Sequence, residues 1–145
     1  MDWQTFLSKA GYRLSEPRKR IMKLMEMADK PLNPLAIHRL LREQGVHLGL
    51  VSVYRTLELF FSLGLISQVF QPDGLVGYLP VSFGHHHFIV CQNCHKAVEF
   101  LGSEDLQELI QRIHTETHYQ VRDHLLQFYG LCPECQALLE NGDIN

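Results

Sequence analysis

The chain has 145 residues, 46% of them hydrophobic, with a net charge of −3, enough for one domain or two small ones and too apolar for a disordered chain. No apolar run approaches the ~18 residues of a membrane span, and the start, Met1-Asp-Trp-Gln-Thr-Phe, does not read as a secretory signal, so a cytoplasmic protein is expected. Charge is unevenly spread: residues 1–80 carry ten Lys/Arg against seven Asp/Glu, and residues 81–145 carry three against nine. All four cysteines and seven of the nine histidines lie in the acidic part. That division points to a polyanion-binding half followed by a cation-binding half.

Trp3, Phe6, Leu7 and Ala10 recur at helical spacing, and Gly11 ends that helix. Ser15-Glu16-Pro17 predicts the next entry, a cap with proline in the first turn. Ile21, Leu24, Met25 and Ala28 form its apolar stripe, and it ends near Asp29-Lys30-Pro31. Asn33-Pro34 opens a third helix carrying Ile37, Leu40 and Leu41 and closed by Gly45. A fourth, about 50–63, buries Val53, Leu57, Phe60 and Phe61 and stops at Gly64. On it Ser52 and Arg55, three apart, share a face, with Thr56 beside it and Tyr54 flanking.

After Gly64 the period falls to two, and residues 65–70 and 75–79 flank the turn signal Asp73-Gly74. Helices followed by one hairpin predict a winged helix-turn-helix over residues 1–80. Its fourth helix would enter the major groove, with the hairpin along the backbone. Pro80 to Gly84 reads as a hinge, with 81–84 as the link to a second domain over 85–145. There His86–Val90 and Ala97–Leu101 read as strands, 103–117 as a helix striped by Leu106, Leu109, Ile110 and Ile113, Tyr119–Tyr129 as a long strand, and the end as a short helix through Leu139. The expected fold is α+β, and the small α/β second domain needs a metal, a partner subunit or both.

Cys91-Gln-Asn-Cys94 and Cys132-Pro-Glu-Cys135 are two pairs whose spacing lets both sulfurs of each turn point at one ion, and together they complete a tetrahedral four-cysteine zinc site. A closed four-thiolate site has no open position, so its role is structural. Cys91-Gln-Asn-Cys94-His95 also fits the c-type haem attachment pattern, but haem leaves Cys132 and Cys135 unexplained. A thioredoxin-like redox pair wants a βαβ context that is absent, and a reversible disulfide sensor is the remaining rival.

Three consecutive histidines, His85, His86 and His87, precede the first cysteine pair. In a strand His85 and His87 share one face, and His86 and Phe88 the other. A regulatory site of nitrogen and oxygen ligands is expected there. Further donors come from His124, from Glu104, Asp105 and Glu108 at the start of the 103–117 helix, and from Glu99 in the neighbouring strand. His114 and His118 are one turn apart and read as solvated surface; His38 reads as packing.

Taken together, Gly11-Tyr-Arg-Leu-Ser, Val51-Ser-Val-Tyr-Arg-Thr-Leu57, Leu63-Gly-Leu65, the histidine cluster before Cys91, Val98-Glu-Phe100 and His124 through Phe128-Tyr-Gly130 to Cys135 resemble the ferric uptake regulator (Fur) superfamily over essentially the whole chain. The resemblance implies a homodimeric, metal-dependent repressor that binds a palindromic DNA operator, with a structural four-cysteine zinc and one or more regulatory sites. It implies that the helix carrying Tyr54-Arg55 docks on DNA, with Ser52 beside them. The interdomain site of iron-sensing members is incomplete here: Phe88, Leu79 and Pro31-Leu32-Asn33 stand where ligands are usual, leaving His86 and Glu99. The second family site is matched by His85, His87 and His124, while Leu106 occupies its carboxylate position, so Glu104 or Asp105 must substitute. His95 follows the second cysteine, where glycine is usual, and is a further possible ligand.

These features lean towards a zinc-responsive regulator similar to the zinc uptake type, with Zn2+ favoured over Fe2+ as the second metal. An iron-, manganese- or peroxide-responsive member of the same family is the alternative. From other classes, the rivals are a zinc-binding protein–protein adaptor without DNA binding and an oxidoreductase using the cysteine pairs. A basic half with a helix–helix–hairpin pattern has no purpose in either. No nucleophile–base pair or phosphate loop is present, so neither enzymatic activity nor a small-molecule substrate is expected.

Overall fold

The computed structural model describes residues 2–81, 86–101 and 106–142. Four helices come first: α1 (Trp3–Lys9), α2 (Glu16–Met27), α3 (Pro34–Glu43) and α4 (Leu50–Ser62). Asp2 caps α1 by accepting from Gln4 N–H at 3.0 Å, and Asn33 caps α3 by accepting from Ala36 N–H at 2.8 Å. Ser15 holds the cap position of α2 without a side-chain bond; Pro17 sits in its first turn as expected.

One buried cluster joins the helices: Trp3 and Leu7 from α1, Ile21 and Met25 from α2, Ile37 and Leu41 from α3, and Val53, Leu57 and Phe60 from α4. Trp3 meets Phe60 edge-on, with centroids 5.1 Å apart at 86°, a contact worth about 0.5–1.5 kcal/mol beyond its buried area. The predicted buried face of α4 needs two corrections. Phe61 is 46% exposed and lies edge-on to Tyr78, because it falls one position beyond the i, i+3, i+4, i+7 stripe of Val53, Thr56, Leu57 and Phe60. Thr56 lies on that buried stripe, its hydroxyl donating to Ser52 C=O at 2.9 Å.

The wing is an antiparallel hairpin of β1 (Ile66–Phe70) and β2 (Val76–Pro80). Asp73-Gly74 sits inside a three-residue loop rather than forming a two-residue turn. Gln71 N–H donates to Leu75 C=O at 2.9 Å, and Gly74 takes φ +85°, the left-handed residue that such loops require. The outer edge of β2 gains a one-residue neighbour: Leu32 and Tyr78 exchange backbone hydrogen bonds of 3.0 and 2.9 Å. Pro80 ends β2, and Val81 N–H bonds Leu65 C=O, so the predicted hinge begins tied to the wing; residues 82–84 lie outside the described residues.

The second sheet has the order β4-β3-β5. β3 (His86–Cys91) pairs antiparallel with β4 (Ala97–Leu101) and parallel with β5 (Gln127–Gly130). The predicted long strand 119–129 is therefore mostly wrong. Among the described residues, only 127–130 find a ladder partner in β3, and a strand without an edge to pair with has no ladder to join. Helix α5 (Gln107–Thr117) falls within the predicted 103–117, the expected start lying among residues 102–105 outside the described set, and none of its side chains is buried. α6 (Pro133–Glu140) closes the chain as predicted.

The two sheets share a second apolar cluster. Val69 and Leu79 of the wing pack with Phe88 and Val90 of β3, and Ala28, Val81 and Ala97 lie against them. No described helix is long and apolar enough to cross a membrane.

Candidate metal centres and DNA-facing helix

Cys91 ends β3, Cys94 is the last residue of the turn 92–94, Cys132 caps α6 and Cys135 lies in its first turn. Parallel pairing of Cys91 with Gly130, with Gln92 N–H bonding Gly130 C=O at 2.8 Å, brings both turns to one end of the sheet. The four sulfurs lie within 4.8 Å of one another, and Cys94 Sγ and Cys132 Sγ are 3.7 Å apart. A zinc tetrahedron with Zn–S near 2.3 Å has edges of about 3.8 Å, so the donor set fits this metal. Cys132 N–H points at Cys91 Sγ and Cys135 N–H at Cys132 Sγ, both at 3.4 Å.

Asn93 adds a donor that the spacing alone did not reveal, its Nδ2 lying 3.2 Å from Cys135 Sγ. Burial pushes the Cys91 thiol up, but the backbone N–H groups of Cys132, Cys94 and Asn93 outweigh it and bring it down to about 6. Cys132 receives a lowering bond from Cys135 N–H, yet burial and the neighbouring Cys135, Glu134 and Cys94 side chains push it up to about 12. One lowered and one raised thiol in the same cluster are what coupled titration of neighbouring sulfurs produces, the first thiolate disfavouring the next.

His87 is 7% exposed, and its ring lies 5.3 Å from that of His124 and 5.8 Å from Phe100. β3 alternation accounts for this placement, turning His87 from the wing while Phe88 enters the shared apolar cluster. His85 and Glu104, the other two predicted regulatory ligands, lie outside the described residues, as does Asp105. Among the described residues, the four cysteines are the one group of three or more His, Cys, Asp or Glu side chains with ligand atoms this close. Of the weaker candidates, His86 pairs with Leu101 in the ladder and Glu99 with Phe88.

The positions where the usual interdomain ligands are missing are filled by packing: Leu79 and Phe88 are both buried in the cluster between wing and sheet. His95 takes φ +67°, a left-handed conformation that glycine adopts without strain. His114 and His118 do not pair: the His114 ring bonds Tyr119 C=O at 3.0 Å, and His118 is the left-handed C-cap of α5.

On α4 the predicted DNA-facing residues are all exposed: Ser52, Tyr54 and Arg55. Arg55 lies opposite the Val53–Thr56–Leu57–Phe60 stripe that fixes the helix to the core, and Ser52 and Tyr54 lie on its two flanks. His38 and Arg42 of α3 and His47 of the turn that follows it line a surface cavity before the start of α4; Arg42 was not singled out in the sequence because nothing local joins it to this surface.

The Ferric uptake regulator family profile matches residues 9–129. A ferric uptake regulation protein of Neisseria meningitidis is 33% identical over 132 residues, covering 90% of this chain and 91% of that protein. A zinc uptake regulation protein of Mycobacterium tuberculosis is 30% identical over 131 residues, covering 90% of this chain and 100% of that one. Among solved structures, the ferric uptake regulator from Francisella tularensis with iron is 31% identical with a TM-score of 0.64, covering 87% of this chain and 96% of that chain. A zinc uptake regulator complexed with zinc and DNA superposes with a TM-score of 0.77, over 94% of this chain and 92% of that one, and at 18% identity this likeness concerns the fold.

Proposed function

Since the chain belongs to the ferric uptake regulator family of DNA-binding metalloregulators, we propose that it is a zinc-responsive repressor. In this reading a homodimer binds a palindromic operator when zinc fills a regulatory site made by His87 and His124 with His85 and Glu104. The observation that carries it is the ring-to-ring approach of buried His87 and half-buried His124. An imidazole-rich donor set suits tetrahedral zinc, whereas oxygen-rich sites suit harder ions. Leu79 and Phe88 support the same reading, because apolar side chains occupy the wing–sheet junction.

Ser52, Tyr54 and Arg55 read the operator from α4, and the basic surface of residues 1–80 supplies phosphate contacts. The paired chains meet through the apolar face of the second sheet, where Val98 and Phe128 are 64% and 47% exposed, and through the uncovered α5.

The test is a metal series. A duplex selected from a randomised pool by the zinc-loaded protein is titrated by fluorescence anisotropy at buffered free zinc, iron(II) and manganese. Zinc restoring binding at the lowest free concentration supports the reading. Iron(II) or manganese doing so, with zinc confined to the four cysteines, overturns it in favour of the corresponding member of the family.

A further inference from the structure

The wing is fastened to the zinc-bearing sheet by one side-chain amide. Gln127 Oε1 accepts from Phe70 N–H at 3.0 Å, and Gln127 Nε2 donates to Phe70 C=O. Phe70 is the last residue of β1, paired with Val76. Its two backbone groups turn to the free edge of β1, while on the other side Gln71 N–H donates to Leu75 C=O and Gln71 C=O accepts from Gly74 N–H. The amide thus makes the pair of bonds that a neighbouring strand residue would make. Tyr129 Oη donates to the same Phe70 C=O at 2.7 Å and lies 2.8 Å from Gln127 Nε2.

The register explains why these two residues face the wing. β5 runs parallel to β3 with Gln127 beside Phe88 and Tyr129 beside Val90, and Phe88 and Val90 are the β3 members of the shared apolar cluster. A second tie lies further along: Ala97 N–H bonds Asp29 C=O at 3.1 Å, and Lys96 Nζ lies 3.8 Å from Asp29 Oδ2. β5 leads through Leu131 into Cys132, so the cysteine cluster holds the C-terminal ends of β3 and β5 together.

We propose that Gln127, supported by Tyr129, is the positioning residue that sets the wing, and with it α4, against the zinc-clamped sheet, so that a dimer presents its two recognition helices at the operator's half-site spacing. The proposal rests on operator binding by the dimer and not on which metal is sensed. Losing this fastening frees each wing to sample other angles and lowers the effective concentration of the second half-site contact.

The test compares the selected duplex with a duplex carrying one half of it, using zinc-loaded wild type, Gln127→Leu and Gln127→Glu. Glutamate offers Phe70 C=O no donor, and leucine satisfies neither backbone group. The expected result is about a tenfold loss on the full site with half-site affinity unchanged, at wild-type zinc content and dimer mass. Wild-type affinity of both variants for the full site overturns the proposal, as does an equal loss on both duplexes. Wild type binding neither duplex instead refutes operator binding. Should the Gln127 variants lose zinc or the dimer, Tyr129→Phe decides by the same comparison: a loss confined to the full site supports the proposal, and unchanged binding overturns it.

Discussion

His87 and His124 come from distant parts of the chain and meet with ring centroids 5.3 Å apart and planes at 44°. β3 delivers the first, and the segment leading into β5 delivers the second. A metal bridging them ties that segment to β3 just before Gln127, whose amide holds the wing. Replacing either with glutamine keeps much of the volume and removes the imidazole proposed to ligate zinc. The expected outcome for His87→Gln and His124→Gln is a shift of about 100-fold or more in the free zinc needed for operator binding, since even outer partners of ligands are worth 10–100-fold. The four-cysteine zinc stays in place, read as one zinc per chain by elemental analysis. An unshifted zinc midpoint in both variants removes this pair from the regulatory site.

The cysteine cluster behaves differently because it supports the fold. A structural four-thiolate zinc is worth about 10–16 kcal/mol at neutral pH, and the small second sheet has little buried core besides it. Cys91→Ser is expected to lose zinc together with the dimer, seen by mass photometry and near-ultraviolet circular dichroism. The pH dependence has a definite sign. Cys91, lowered to about 6, is mostly thiolate at pH 7, while Cys132, raised to about 12, holds a proton that zinc must displace. Zinc binding therefore releases protons, and affinity in a fixed zinc buffer falls as pH drops from 8 to 6.

Gly77 marks a place where the wing and the α2–α3 link approach too closely for a side chain. A Cβ there would lie 2.5 Å from Pro31 Cβ and 2.9 Å from Pro31 carbonyl carbon, and the adjoining Leu32–Tyr78 bridge restricts retreat. Gly77→Ala is expected to cost about 1–3 kcal/mol, the usual range for overpacking. Chemical denaturation followed by circular dichroism measures it directly; unchanged stability means the 31–32 segment moves away freely.

Much of this arrangement was legible because it is local. Asn33-Pro34, the Ile21–Met25 stripe and the two Cys-x-x-Cys turns each carry their own signal within a few residues. The failures came where a partner decides the outcome. Residues 119–126 have strand-like composition, but only 127–130 meet an edge in β3. Phe61 looked like core because it is aromatic, yet the stripe through Val53, Leu57 and Phe60 leaves it outside. Gln127 carried no signal at all, since a glutamine in a strand acquires a role only once the register turns it towards Phe70.

Neighbours on α4 separate the proposed reading of DNA from holding the helix. Arg55 is exposed, and Thr56 is buried with its hydroxyl on Ser52 C=O. Arg55→Ala is expected to weaken operator binding by about 1–3 kcal/mol, the range for a base-reading arginine, with melting temperature, dimer mass and zinc content unchanged. Thr56→Arg has the opposite profile: a charge forced into the cluster with Leu57 lowers the melting temperature before any DNA is added. Anisotropy on the selected duplex and a thermal melt of each variant separate the two roles. If Arg55→Ala binds as tightly as wild type, the groove-facing side of α4 has been misassigned.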